Sequence, residues 1–319
     1  STVTVNQMTN IPLADILPTT VGITVILAVW FFVFGASLGS FLNVVAWRLP
    51  RGKTLMGSSA CPSCKRRIRL RDNIPVFSFF KLKGKCRNCD FRIPYRYVLM
   101  EVIAGSCALA FFGLEFVLRG VNIPGWSMES RFFIDELLSH QGPVREMIGF
   151  FLQHGLLMVM LLIALLIKSQ DDRLPSGLIV MGWLITLIFV AGIDTTIPVG
   201  IKGEILNITQ KNYPTLLIPV IGGIAGIILG TVSGIVLKLL VGETNWIRKN
   251  AELAMIYSLI GMSLGWQATV IISISSLLIT VLIGLRAKRR SSIIRIALPG
   301  TITITTVTLL FICTWSVWV

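Results

Sequence analysis

The chain of 319 residues is 54% hydrophobic and only 14% charged, with 29 Lys and Arg against 15 Asp and Glu, and its mean hydropathy is +0.80. Such totals exclude an ordinary soluble domain and a disordered polyelectrolyte, and point to a polytopic membrane protein. Fourteen of the basic residues fall between Arg48 and Arg96, beside only Asp72 and Asp90; in a membrane protein this is a positive-inside signal, and no nucleic-acid partner is expected.

Ser1 to Pro18 is polar or mixed with no basic n-region, so no cleavable signal peptide is read there. Thr19 to Ala46 is the first apolar span, and its Gly35-Ala-Ser-Leu-Gly39-Ser40 string supplies small residues that let another helix approach. It ends at Trp47-Arg48-Leu49-Pro50, an interfacial aromatic, a cation and a helix stop. After a basic insert, Tyr95-Arg96-Tyr97 leads into a second span, Val98 to Leu118, which contains Glu101 and Cys107. A carboxylate in hydrocarbon costs roughly 2.5 to 3.5 kcal/mol, so Glu101 should face the bundle or the basic loop, either paired with Arg96 or Arg92 or serving the site.

Further spans are read at Met147 to Ile167, Ser176 to Ala191 and Leu216 to Val241, the last with glycines at 222, 223, 226, 230 and 234 that mark a packing helix. Ala251 to Val281 reads as two helices with a turn near Gly265-Trp266-Gln267, and Ile293 to Val319 as a last span broken at Pro299-Gly300. The expected fold is therefore an all-α polytopic membrane protein of about eight transmembrane helices, with a small zinc-ribbon-like insert between the first two. Its divisions are residues 1–47 (tail and first span), 48–97 (basic tetra-cysteine domain), 98–146 (second span and outer loop) and 147–319 (a six-helix domain). Alternating the spans puts the insert, the Lys168 to Pro175 turn, the Glu243 to Lys249 turn and the Arg286 to Arg290 cluster on one face, the cytoplasmic one. No repeat at a fixed period is evident.

Within the insert, Cys61-Pro-Ser-Cys64 and Cys86-Arg-Asn-Cys89 have the spacing of two knuckle turns facing one metal. Neighbouring cations favour thiolate, and a loop this small needs a metal to fold. Structural zinc on Cys61, Cys64, Cys86 and Cys89 is the expectation; a redox dithiol and unligated thiols are the alternatives. Four protein ligands leave no open position for metal chemistry. Cys107 and Cys313 read as packing residues, His140 and His154 as isolated structural histidines, and Asp194 lies at the outer end of its span.

Gly39-Ser-Phe-Leu-Asn43-Val-Val-Ala-Trp-Arg48-Leu-Pro50, the paired cysteines, Asp72-Asn-Ile-Pro75-Val76 and Tyr95-Arg-Tyr-Val-Leu-Met-Glu101 together resemble the amino-terminal half of the type IV prepilin peptidase family, with Gly261-Met-Ser-Leu-Gly265-Trp266-Gln267 a later match. The resemblance implies a bacterial inner-membrane aspartyl protease of type IV pilus or type II secretion systems. Such an enzyme cuts leaders from prepilin-like or pseudopilin peptides at the cytoplasmic face, and many members methylate the new amino terminus with S-adenosylmethionine.

The family places one aspartate seven residues before the proline opening the fourth span and a second, in a Gly-x-Gly-Asp string, eight before the position of Gly261. Here those positions are Lys168 and Leu253, and the string reads Asn250-Ala-Glu252-Leu253. Aspartyl proteolysis needs two carboxyls that share a proton, one to activate water and one to polarise the carbonyl. Asp171, nearly one helical turn from Lys168, and Glu252 could form a displaced dyad; alternatively Glu252 pairs with Lys168 and Asp171 belongs to a solvated helix end, leaving a non-proteolytic paralogue that binds or assembles prepilins, or one that only methylates them.

Overall fold

A computed structural model of the chain describes residues 13–118, 120–122, 144–170, 172–192, 217–241, 246–289 and 297–314. Helix α1 (Leu13–Arg48) leads to the insert, whose one short helix is α2 (Phe77–Lys81). Then come α3 (Tyr95–Phe111), extended by a π-helical turn at Phe112–Val117, α4 (Val144–Ser169), α5 (Ser176–Gly192), α6 (Leu217–Val241), α7 (Trp246–Arg289) and α8 (Ala297–Thr314). Among the described residues the insert's two isolated bridges are the only β pairing. By length and composition four helices can cross a membrane, within Val21–Arg51, Tyr95–Val117, Ile148–Ser169 and Pro219–Val236; four shorter apolar helices accompany them. The molecule is thus a polytopic all-α membrane protein with the insert between its first two long helices.

Helix α7 contains the expected turn. Tyr257 and Ser276 are 19 positions apart, which a straight helix would separate by about 28 Å, yet their hydroxyls are in hydrogen-bond contact. The chain reverses at Gly265, whose φ of 84° and ψ of 167° are non-helical and suit glycine. Pro299-Gly300, by contrast, does not interrupt α8, the described part of the last span: both lie in its first turn, where proline's missing N–H costs no helical bond.

Small residues set the closest packing. A Cβ on Gly39 would stand 2.7 Å from the Met100 carbonyl oxygen, so α1 and α3 cross nearly backbone to backbone. Along the seam of α6 and α7 a Cβ on Gly226 would overlap the Tyr257 carbonyl, and one on Gly230 would lie 2.6 Å from the Ala254 Cα. The main core is made chiefly by α4 and both arms of α7, including Leu161, Leu162, Ile167, Tyr257, Ile260 and Ile272. Helices α1 and α6 instead turn apolar side chains such as Val25, Ile26, Val29, Ile224 and Ile228 outward, as lipid contact requires.

Candidate functional site

Two regions at the same end of the bundle carry the chemistry that the sequence singles out. In the insert, Cys61 N donates to Arg66 O and Lys65 N to Cys61 O; Cys86 N donates to Phe91 O and Asp90 N to Cys86 O. Bridges Ala60↔Arg67 and Lys85↔Arg92 close the two turns, and Lys65 and Asp90 both adopt left-handed backbone. Each partner in the second knuckle lies 25 positions after its counterpart, so this is a two-copy repeat of backbone, shared in side chains only at Cys61/Cys86, Cys64/Cys89, Arg67/Arg92 and Ile68/Ile93.

The knuckles bring the four Sγ atoms within 4.8 Å of one another, with Cys61 Sγ and Cys89 Sγ 3.7 Å apart. A tetrahedral centre with metal–sulfur bonds of about 2.3 Å has sulfur–sulfur edges of about 3.8 Å, so the donor set fits a four-coordinate soft or borderline divalent ion. Its protonation agrees. The Cys64 backbone contact lowers the Cys61 thiol to about 7 against the opposing effect of burial. Hydrogen bonding from the Arg66 backbone lowers Cys64, but burial and its three thiol neighbours outweigh it and push that group up to about 11. One thiolate forms readily, and further ones need a cation to offset the mutual repulsion.

Polar contacts brace the insert internally and tie it to the bundle. Arg87 Nε donates to Asp72 Oδ2 at 2.7 Å, and the guanidinium holds the Asp72 carboxyl below the usual aspartate value. Val76, a β-branched residue at φ 61°, is strained; its N–H donates to Glu101 Oε2 at 2.7 Å. Glu101 therefore faces the basic loop, and its described partner is a backbone amide rather than Arg92 or Arg96. Asn43 Nδ2 bridges Gly39 O and Tyr97 O, joining α1 to the start of α3.

Near the insert, where α4 meets α7, Lys168 Nζ lies 2.6 Å from Glu252 Oε2, and each side chain is 9% exposed. Glu252 Oε1 accepts from Leu174 N at 3.4 Å, and Lys168 Nζ also reaches Asp172 O. Arg51, just beyond α1, stands 2.8 Å from Asp172 Oδ2, an ion pair by distance although not in hydrogen-bond alignment. Leu253 turns away into apolar packing, and its backbone abuts Gly230. Of the residues singled out for catalysis, Lys168 and Glu252 are thus brought together and Leu253 contributes no polar group. Asp171, with His140 and Asp194, lies outside the described residues.

Sequence reading overlooked Glu115. The π-helical turn carries it into the bundle, fully buried, with its Oε1 2.6 Å from His154 Nδ1. Asn122 Nδ2 lies 3.4 Å from the same oxygen and 3.3 Å from Ile312 O. His154 is therefore not isolated. The available signal was a carboxylate inside an apolar run. This cluster is about 21 Å along α4 from Lys168, at the other end of the bundle. Cys107 and Cys313 pack against the main core, as expected.

A bundle of apolar helices with a four-thiolate knuckle pair and a buried ion pair at one end defines a polytopic membrane protein with a metal-competent appended domain. Residues 33–114 match the bacterial peptidase A24 N-terminal domain. Over 247 residues the chain is 30% identical to the prepilin leader peptidase/N-methyltransferase of Klebsiella pneumoniae, covering 75% of this chain and 86% of that relative. It is 40% identical over 115 residues to the type 4 prepilin-like proteins leader peptide-processing enzyme of Escherichia coli O78:H11, covering 30% of this chain and 40% of the relative. With the prepilin leader peptidase/N-methyltransferase of Vibrio cholerae it shares 36% over 106 residues, 28% of this chain and 42% of the relative. The chain belongs to the prepilin leader peptidase/N-methyltransferase family. It spans less than half the length of the Escherichia and Vibrio relatives in those matches. No solved structure matches it.

Proposed function

We propose that this chain is a non-proteolytic member of its family that binds prepilin-like leader peptides at the cytoplasmic face of a bacterial inner membrane. The four cysteines hold a structural zinc. The observation that carries the reading is the Lys168–Glu252 pair, 2.6 Å apart. Where the resemblance puts one of two proton-sharing carboxyls, there is an ammonium; where it puts the other, there is Leu253, which cannot transfer a proton. The adjacent carboxylate has Oε2 against that ammonium and Oε1 against the Leu174 amide. Attraction between Lys168 and Glu252 fills the place of a shared proton and joins the same two helices.

Zinc is the ion of choice because four thiolates at tetrahedral spacing suit it and its closed shell needs no redox partner. A fluorescent prepilin peptide added to the purified protein in detergent tests the binding half: saturable anisotropy, competed by unlabelled leader, is expected. Absence of binding at concentrations that saturate an active relative would overturn it.

A further inference from the structure

Besides holding four thiols, the insert has an outer surface that neither the metal nor the ion pair uses. Of the fourteen Lys and Arg between Arg48 and Arg96, all but Arg48 are exposed, and Asp72, one of only two acidic residues there, is spent on Arg87. Large apolar side chains stand among them: Leu70 is 91% exposed between Arg69 and Arg71, and Phe80 is 68% exposed beside Lys81. In α2, Phe77, Phe80 and Lys81 have the i, i+3, i+4 spacing of one face, and Lys81 Nζ lies 5.9 Å from the Phe77 ring. Ser78 is buried and accepts from Ile74 N, fixing which way that turn faces. Phe79 links the row to Tyr95 at the start of α3.

The bond between Val76 and Glu101 fixes the depth of this surface. Glu101 lies six residues into α3, about 9 Å along its axis, within the apolar span Tyr95–Val117. Ile74 and Phe77, on either side of Val76, are therefore held level with the first turns of a membrane-crossing helix, not out in the aqueous phase. At that level an exposed aromatic meets the boundary of headgroups and acyl chains, while lysine and arginine stems reach outward to phosphates.

We propose that the Arg69–Lys85 face of the insert is a docking surface for anionic phospholipid: Phe77, Phe80 and Ile74 enter the interface and Arg69, Arg71, Lys81, Lys83 and Lys85 engage the headgroups. This interaction does not depend on whether the chain cleaves peptides. It makes the orientation of the knuckles on the membrane responsive to lipid charge, because the attraction acts within one screening length of the surface.

Hydrogen exchange of the full chain in nanodiscs tests the proposal. Amides of residues 73–82 should exchange about tenfold more slowly in discs with about 30 mol% phosphatidylglycerol than in pure phosphatidylcholine. The difference should collapse at about 0.5 M salt, where screening shortens to about 4 Å. Replacing Lys81, Lys83 and Lys85 by Gln should abolish it, with unchanged protection of the Cys61 and Cys86 knuckle amides as the control for folding. Should that variant lose knuckle protection, the lipid and salt arms on the unaltered chain still decide. Equal exchange in the two lipids, or a difference indifferent to salt, would overturn the proposal; exchange slowed only on adding prepilin peptide would assign the surface to protein instead.

Discussion

At Lys168 the protein holds an ammonium within hydrogen-bond reach of Glu252, both side chains almost withdrawn from solvent. Removing one member of such a pair leaves the other charge buried and uncompensated, at a cost of roughly 3 to 5 kcal/mol, whereas replacing both by apolar groups is often neutral. Lys168→Met and Glu252→Gln should each lower the unfolding midpoint in detergent clearly, and Lys168→Met with Glu252→Leu should recover most of the loss; additive losses in the double variant would contradict a coupled pair. Asp72 gives a second test at this scale. Arg87 depresses its carboxyl, so its linked stability is full above the ordinary aspartate value of about 3.9 and is lost as pH falls through the lower folded value. A carboxyl carbon titration should find Asp72 ionised below that ordinary value, with Arg87→Met returning it upward.

Among the elements, the insert and the spans differ in what stabilises them. Two knuckles with few buried side chains have little apolar core, so a metal on the four thiols would supply much of their folding free energy, while α4 and α7 interlock through a large apolar core. Cys61→Ser should reduce zinc from about one per chain to none and unfold the insert in hydrogen exchange, leaving the bundle's protection intact; retention of zinc would refute the four-thiolate assignment. Much of this was legible beforehand. Cysteine spacing located the metal-competent cluster, and glycine spacing in α6 and the turn at Gly265 followed from residues that only close packing or non-helical backbone requires. The knuckle repeat was legible only in part: Cys61, Cys64, Arg67 and Ile68 answer to Cys86, Cys89, Arg92 and Ile93, but Lys65 against Asp90 and Arg66 against Phe91 interrupt the match, and the hydrogen bonds that complete it needed coordinates. Pro299 misled because proline breaks a helix only beyond its first turn. Glu115 was missed because the apolar run around it drew attention only to Glu101, and nothing local announces a π-helical turn.

For the whole molecule, membership of the family is shown by sequence, and the buried polar pair at one end of the bundle is Lys168 with Glu252. The match over residues 33–114 covers the last part of α1, the insert and α3, and the 75% alignment extends the kinship into the later helices. The Lys168–Glu252 pairing could be anticipated because Lys168 occupies, and Glu252 adjoins, a position where the resemblance implies a carboxyl; that Glu252 also reaches the Leu174 amide needed coordinates. The central claim is that this scaffold binds leader peptides without cutting them. Mass spectrometry of a prepilin peptide incubated with the zinc-loaded protein in lipid, beside an active relative, tests it most directly. The account predicts intact peptide with the unaltered chain and cleavage only with the relative. Leader cleavage by this chain, abolished by both Glu252→Gln and Asp171→Asn, would contradict it and establish a displaced carboxylate dyad.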